Sequence, residues 1–392
     1  MNTIETEKRT IFQTYKRLPV VAERAEGCRV WDENGRKYLD FLGGIAVNAL
    51  GHSHPRIIEA VERQIHRYMH LSNYFYQDVQ VQLAEKLCSM SCFDRVFFSN
   101  SGTEAVEGAI KLVRRWGSTH GKTDIIAFSG GFHGRTYGAL SLMDKPLYKD
   151  KMGPYLDNMY VLPYNDPKAL EARVNEKTTA VILEFLQGEG GITSATQEFV
   201  DKIFELRSKH NFLVIADEIQ AGTGRTGKLF CFEHYSVEPD VATMAKGIGG
   251  GLPLGAIVAR ESLANVWEKG NHGTTYGGNA VACAAGLVVL EELESGVMAN
   301  VVETGDYLAK KLHDVKLEFP ELVAEARGRG LMQGLLLTFD AAKLVEAMLE
   351  RGVIANAASG YILRIVPPLI AGKTEVDEYV AALRECLSEF NV

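Results

Sequence analysis

Through the middle of the chain, short apolar runs of strand length alternate with stretches of helical periodicity, which restricts the fold to an α/β class with a mainly parallel sheet. Val96-Phe97-Phe98, Ile125-Ile126-Ala127-Phe128, Ala180-Val181-Ile182-Leu183 and Phe212-Leu213-Val214-Ile215-Ala216-Asp217 read as strands apolar on both faces, as a sheet covered by helices requires. Val106, Ala109, Ile110, Val113 and Trp116 recur at helical spacing, and Pro55 opens another helix with Ile57, Ala60, Val61, Ile65 and Tyr68 on one side. These units continue to about Leu290. Near the end, Thr374 to Glu389 reads as a helix with the stripe Val376, Val380, Leu383 and Leu387, and Thr374 with Asp377 makes a capping-box-like start. At 392 residues, a large domain with a smaller companion is expected.

Chemistry gathers at the ends of these runs. Lys246 stands in Met244-Ala245-Lys246-Gly247-Ile248-Gly249-Gly250-Gly251, one cation with almost no bulk around it, where an amine can meet a flat cofactor. Burial or neighbouring positive charge would favour its neutral, nucleophilic form. Asp217 closes an apolar strand, where α/β sheets bind ligands, and a carboxylate there can hold a pyridine nitrogen protonated. Ser99-Asn100-Ser101-Gly102-Thr103 leads from a strand into a helix, so free amides and the positive dipole end suit a phosphate. Each motif has a plainer reading: a lysine before a glycine turn, a strand-ending aspartate, a serine or threonine N-cap.

Composition narrows the partners. A formal charge of −8 and the lack of a long basic run argue against nucleic acid and anionic membrane. The apolar stretch Ala280 to Leu290 is too short to span a bilayer and reads as a buried or interfacial helix. Met1 to Thr10 carries charges of both signs without an apolar core, so no secretory leader is expected. The six cysteines show no Cys-x-x-Cys pairing, Cys88 and Cys92 are expected on one helix face, and a reducing cytoplasm fits. Gly222-Thr223-Gly224-Arg225-Thr226-Gly227 satisfies a dinucleotide pattern, but Glu218 to Ala221 separates it from the strand and Lys228 to Phe232 looks extended, against a nicotinamide site. His52 and His54 before Pro55 read as a turn and cap, with no third metal ligand nearby.

Taken together and in order, these motifs resemble the class III pyridoxal-phosphate aminotransferases of fold type I. The resemblance covers nearly the whole chain, from Gly27-Cys28-Arg29-Val30-Trp31-Asp32 through Gly43-Gly44-Ile45-Ala46-Val47-Asn48-Ala49-Leu50-Gly51-His52 to Leu363-Arg364-Ile365-Val366-Pro367-Pro368. It implies a mainly parallel seven-stranded sheet between helices and a smaller α+β domain. Residues 56–295 would form the large domain, and 1–55 with 296–392 the small one. Ser101, Gly102 and Thr103 match the family's phosphate cradle, and Phe132 the aromatic stacked on the ring, with His133 beside it. Asp217 matches the partner of the ring nitrogen, Ile219 the cover of the second ring face, and Gln220 the contact to the phenolic oxygen. Lys246 matches the catalytic lysine that carries pyridoxal phosphate. Thr275 matches a threonine that reaches the neighbouring subunit's cofactor, which implies a homodimer with a shared site. No metal is needed.

Substrate recognition, by the same match, falls to Arg135, Glu184, Arg364 and Ile45. Arg135 would hold the α-carboxylate of the amino donor while Glu184 keeps Arg364 closed. Glutamate would place its side-chain carboxylate on Arg135 and take Arg364 after Glu184 swings away. Ile45 stands where ornithine-specific members carry a tyrosine, and an aliphatic residue suits an acylated α-nitrogen. The implied reaction moves the distal amine of N2-acetyl-L-ornithine to 2-oxoglutarate, giving N-acetylglutamate 5-semialdehyde and L-glutamate in arginine biosynthesis. Succinylornithine, N-succinyl-diaminopimelate, 4-aminobutyrate or ornithine remain alternative donors. A decarboxylase or mutase on the same scaffold would not need the two arginines. Phe185 and Ala280 replace prolines common in the family, beside the proposed groups.

Overall fold

The computed structural model describes residues 2–390. Its central sheet has seven strands in the order Arg95–Ser99, Gly255–Ala259, Val241–Met244, Leu213–Asp217, Thr178–Leu183, Asp124–Phe128, Met159–Leu162. Gly255–Ala259 runs antiparallel to both neighbours, so the other six strands point the same way. Four of them, Asp124–Phe128, Thr178–Leu183, Leu213–Asp217 and Val241–Met244, are buried along their whole length, and the first three read as apolar runs for that reason. The mainly parallel sheet expected from the alternation is therefore present.

Helix Gly102–Thr119 lies on one face of the sheet, burying Val106, Ala109, Ile110 and Val113. Helix Ala280–Glu292 buries nine residues and packs on helices Pro55–Arg67 and Asp78–Ser89. Among the described residues no helix is long and apolar enough to cross a membrane. On Pro55–Arg67 the buried positions are Ile57, Ala60 and Gln64, while Ile65 is exposed, so its apolar side is narrower than its sequence suggests.

Strands Ala22–Glu26, Arg29–Asp32 and Lys37–Asp40 form an antiparallel ribbon that Val353–Ile354 extends in parallel. A further antiparallel sheet joins Val323–Arg329, Met332–Leu337, Ile362–Ile365 and Asn356–Ala358. Helix Lys373–Glu389 ties the two ends of the chain together, with Tyr379 stacked on Phe41 at 4.3 Å between ring centroids. That helix starts differently from the expected Thr374–Asp377 box. Gly372 is its N-cap, and the Gly372 amide donates to Glu375 Oε2 at 3.0 Å.

Gly222 to Gly227 is a string of turns, and Cys231–Tyr235 behind it is a 3₁₀ helix where an extended segment was expected. Buried Arg225 in that loop donates to the Leu331 and Pro367 carbonyls, fastening the central sheet to the C-terminal one. Helix Asp78–Ser89 ends before Cys92, so Cys88 and Cys92 share no helix face, and all six cysteines are free.

Candidate active site

Where the parallel strands end, their first following residues converge. Ser101 follows Arg95–Ser99, Phe132 and His133 follow Asp124–Phe128, Glu184 follows Thr178–Leu183, Asp217 ends its own strand, and Lys246 follows Val241–Met244. Together with Gly102, Thr103, Arg135, Ile219 and Gln220, these residues line one cavity of about 420 Å³, a small-ligand volume. The crevice beyond the carboxyl edge of such a sheet is open because the connecting loops diverge there.

Behind the cavity lies a buried acid–base cluster. Asp217 Oδ2 meets His133 Nδ1 at 2.7 Å, and Asp217 Oδ1 accepts from the Ile219 amide at 3.2 Å. Burial alone would depress the His133 pKa, but the hydrogen bond and charge of Asp217, with Glu184 adding, leave it above the usual imidazole value. Glu184 accepts from the amides of Phe132 at 2.8 Å and Gly188 at 3.0 Å. Burial, reinforced by the charge of Asp217, pushes its pKa up to about 7. Lys246 moves the opposite way. Loss of water around its ammonium and the charge of Arg364 bring its pKa down to about 8. Its backbone sits at φ +52°, a conformation that side chains seldom adopt and that the surrounding glycine-rich turn sustains.

The pairing expected between Glu184 and Arg364 is absent. Arg364, 3% exposed on strand Ile362–Ile365, instead forms its ion pair with Glu189, donates to Asn356 Oδ1 and contacts Gln220 Oε1 at 3.3 Å. The two amides that Glu184 accepts from hold its carboxylate between its own loop and the one after Asp124–Phe128, and Glu189, beyond Gly188, reaches the arginine. A charged residue between Gly188 and Gly190 was the available sequence signal for that role. Arg135 is exposed at the mouth, its guanidinium 3.7 Å above the Tyr148 ring and 5.3 Å from that of Phe132. Tyr148, which also packs edge-on against Phe132, supports both and carries no sequence signal.

At the other end, Gly102 opens a helix of 18 residues. A Cβ on Gly102 would come within 2.8 Å of Ile219 Cδ1, so only glycine allows the amide edge and Ile219 to lie this close. The Ser101 and Thr103 hydroxyls are engaged elsewhere, Ser101 with the Glu104 amide and Thr103 with the amides of Arg135 and Thr136. The Gly102 and Thr103 amides at the start of the helix are what remain for an anion. A flat ring with a phosphate tail fits these residues: amides at one end, Phe132 and Ile219 on the walls, Asp217 and the Lys246 amine within.

Besides Arg364, which lies beside this cavity without lining it, two matched positions stay outside. Thr275 is exposed and lines no part of it within one chain. Ile45 is 42% exposed, and Val47 lines the cavity in its place. Gly43, Gly44, Ile45 and Ala46 have φ of 55°, 64°, 62° and 62°, one left-handed turn. A Cβ on Gly43 would meet the Val366 carbonyl at 2.9 Å, which explains glycine there.

Comparison with known proteins adds identity to this geometry. A family model described as aminotransferase class-III matches residues 11–387. An acetylornithine aminotransferase of Methanocaldococcus jannaschii is 43% identical over 99% of this chain and 98% of its own. The crystal structure of N-acetylornithine aminotransferase from Stenotrophomonas maltophilia K279a superposes with a TM-score of 0.84 at 36% identity, covering 98% of each chain. The ornithine aminotransferase of Toxoplasma gondii ME49 superposes with a TM-score of 0.93 at 30% identity, over 98% of this chain and 94% of that one. Backbone similarity thus spans members with different donors.

Proposed function

The chain belongs to the class-III aminotransferases, and from that premise we propose that it transfers the distal amine of N2-acetyl-L-ornithine to 2-oxoglutarate, yielding N-acetylglutamate 5-semialdehyde and L-glutamate. Bound pyridoxal phosphate supplies the aldehyde that takes the amine and the ring that accepts the electron pair from the substrate carbon. The chain's own residues do the rest. Lys246, whose pKa is brought down to about 8, is the amine that receives and returns a proton at the substrate carbon. Asp217, backed by His133, would hold the ring nitrogen, and Phe132 and Ile219, which line the cavity, would confine the ring. Gln220, bonded to Arg364, faces the cavity where the phenolic oxygen would lie.

The closed Arg364–Glu189 pair beside that cavity carries the reading. A transaminase with two unlike substrates needs one carboxylate site always open and one that opens on demand. Arg135 at the mouth is the first and Arg364 the second. Arginine's planar fork binds either carboxylate through two oxygens. Relatives named acetylornithine aminotransferase, at 39% to 45% identity over nearly the full chain, support an acylated donor. Ile45, which lies outside the cavity itself, offers no hydrogen bond to a free α-ammonium reaching beyond its mouth. With 2-oxoglutarate as acceptor, kcat/KM for N-acetylornithine is expected to exceed that for ornithine by about tenfold or more. The panel includes N-succinylornithine, N-succinyl-diaminopimelate and 4-aminobutyrate, and a preference for free ornithine or 4-aminobutyrate would refute the assignment.

We also infer a homodimer. Tyr74 is 96% exposed and Phe75 62%, with Met69, Tyr76 and Tyr276 exposed as well. Asn73 binds the Thr274 and Gly277 carbonyls and so anchors this segment beside Thr275. Apolar exposure on that scale is unusual for a monomer's surface. Light scattering at micromolar concentration should read twice 43.2 kDa. Replacing Tyr74, Phe75 and Tyr76 together by serine should lower the mass, and a monomeric parent protein would end the inference.

A further inference from the structure

Opening Arg364 to a dicarboxylate leaves the Glu189 carboxylate needing a new place. Its backbone is pinned, because the Ser359 hydroxyl donates to the Glu189 carbonyl, so the side chain is the part free to move. Beyond the Arg364 pair, Glu189 also lines a second cavity with Lys145, Tyr148 and Ser359, where Gly130 and Gly190 leave room. Lys145 is half-buried there, its amine 3.1 Å from the Tyr148 hydroxyl and 4.7 Å from the ring centroid. No carboxylate of the described residues forms an ion pair with it. The adjacent Asp144 is engaged by the Gly130 amide at 3.3 Å.

Charge already couples the two residues. Burial would raise the Glu189 pKa, but the charge and hydrogen bond of Arg364 outweigh it, and Lys246 and Lys145 add to the lowering. Lys246 is the other cation whose charge reaches Glu189, but the proposed reaction commits its amine to the cofactor and the substrate proton. A carboxylate released into a partly buried loop without a partner is strongly disfavoured.

We propose that Lys145 is the seat Glu189 takes when a dicarboxylate claims Arg364, which makes Lys145 a specificity-determining residue for the 2-oxoglutarate half-reaction. The proposal rests on Arg364 being the diacid's anchor. An acylated donor that leaves the Arg364–Glu189 pair closed draws nothing from Lys145.

Calorimetric binding of glutarate, an unreactive five-carbon diacid, to the holoenzyme tests this. Lys145→Met should weaken glutarate about three- to fivefold, the scale of a partly exposed charge pair, and Lys145→Arg should keep near-parental affinity. Glu189→Gln, with no charge to reseat, should tighten glutarate. In that background Lys145→Met should then have no effect. An equal loss with and without Glu189 would mean that Lys145 touches the diacid directly, and no loss in either background would mean that Glu189 goes elsewhere. Both overturn the proposal while leaving Arg364 as anchor. Unchanged affinity in Glu189→Gln would overturn the Arg364 reading itself.

Discussion

Lys246→Ala is expected to reduce turnover by about four orders of magnitude or more, because one side chain supplies both the nucleophile and the proton carrier. The substitution should spare the fold. Alanine inherits the φ of +52° without adding strain, and removing the ammonium relieves its repulsion with Arg364. In the parent protein without cofactor, capture of a small aldehyde at Lys246, trapped by reduction and read by mass spectrometry, should rise with pH around a midpoint near 8. The sign follows from the depressed pKa: below about 8 the residue is a protonated, unreactive ammonium, and above it a free amine. Turnover of the variant within a hundredfold of the parent would remove Lys246 from the chemistry.

Glu189→Gln should shift the ratio of kcat/KM for the acylated donor over glutamate by about tenfold or more toward glutamate. The amide cannot neutralise Arg364, so the guanidinium stays open to any α-carboxylate, and the acylated donor binds in the wrong orientation. Glu184→Gln provides the contrast. Glu184 positions the Phe132 and Gly188 amides, so its loss should impair both half-reactions together and leave the ratio near the parent's. A changed ratio in Glu184→Gln alone would restore the pairing first expected from the sequence.

Much of the site was legible because its determinants are local. Strands such as Leu213–Asp217 are apolar on both faces, so their ends could be read, and Asp217, Glu184 and the residues after Ser99 stand at those ends. Lys246 stood out because the glycines around it leave nothing else to react. The helix cap was misread because Gly372 has no capping side chain to announce it, and the bond comes from Glu375 three residues on.

The partner of Arg364 was a different kind of question. Glu184 and Glu189 stand five residues apart after Thr178–Leu183, both acidic, one lining the cavity and one beside it, and the glycines flanking Glu189 are their one local difference. Arg364 arrives from an antiparallel sheet of the C-terminal region, and Tyr148 from a short helix that supports Arg135 and Phe132 at once. From its sequence alone this chain specified an α/β sheet, a reactive lysine and a carboxylate at the sheet's carboxyl edge, since strand periodicity and glycine content are properties of neighbours along the chain. Only the tertiary structure decided which carboxylate closes Arg364, because ion pairing depends on distance in space, and that distance is set by how two separately formed sheets pack.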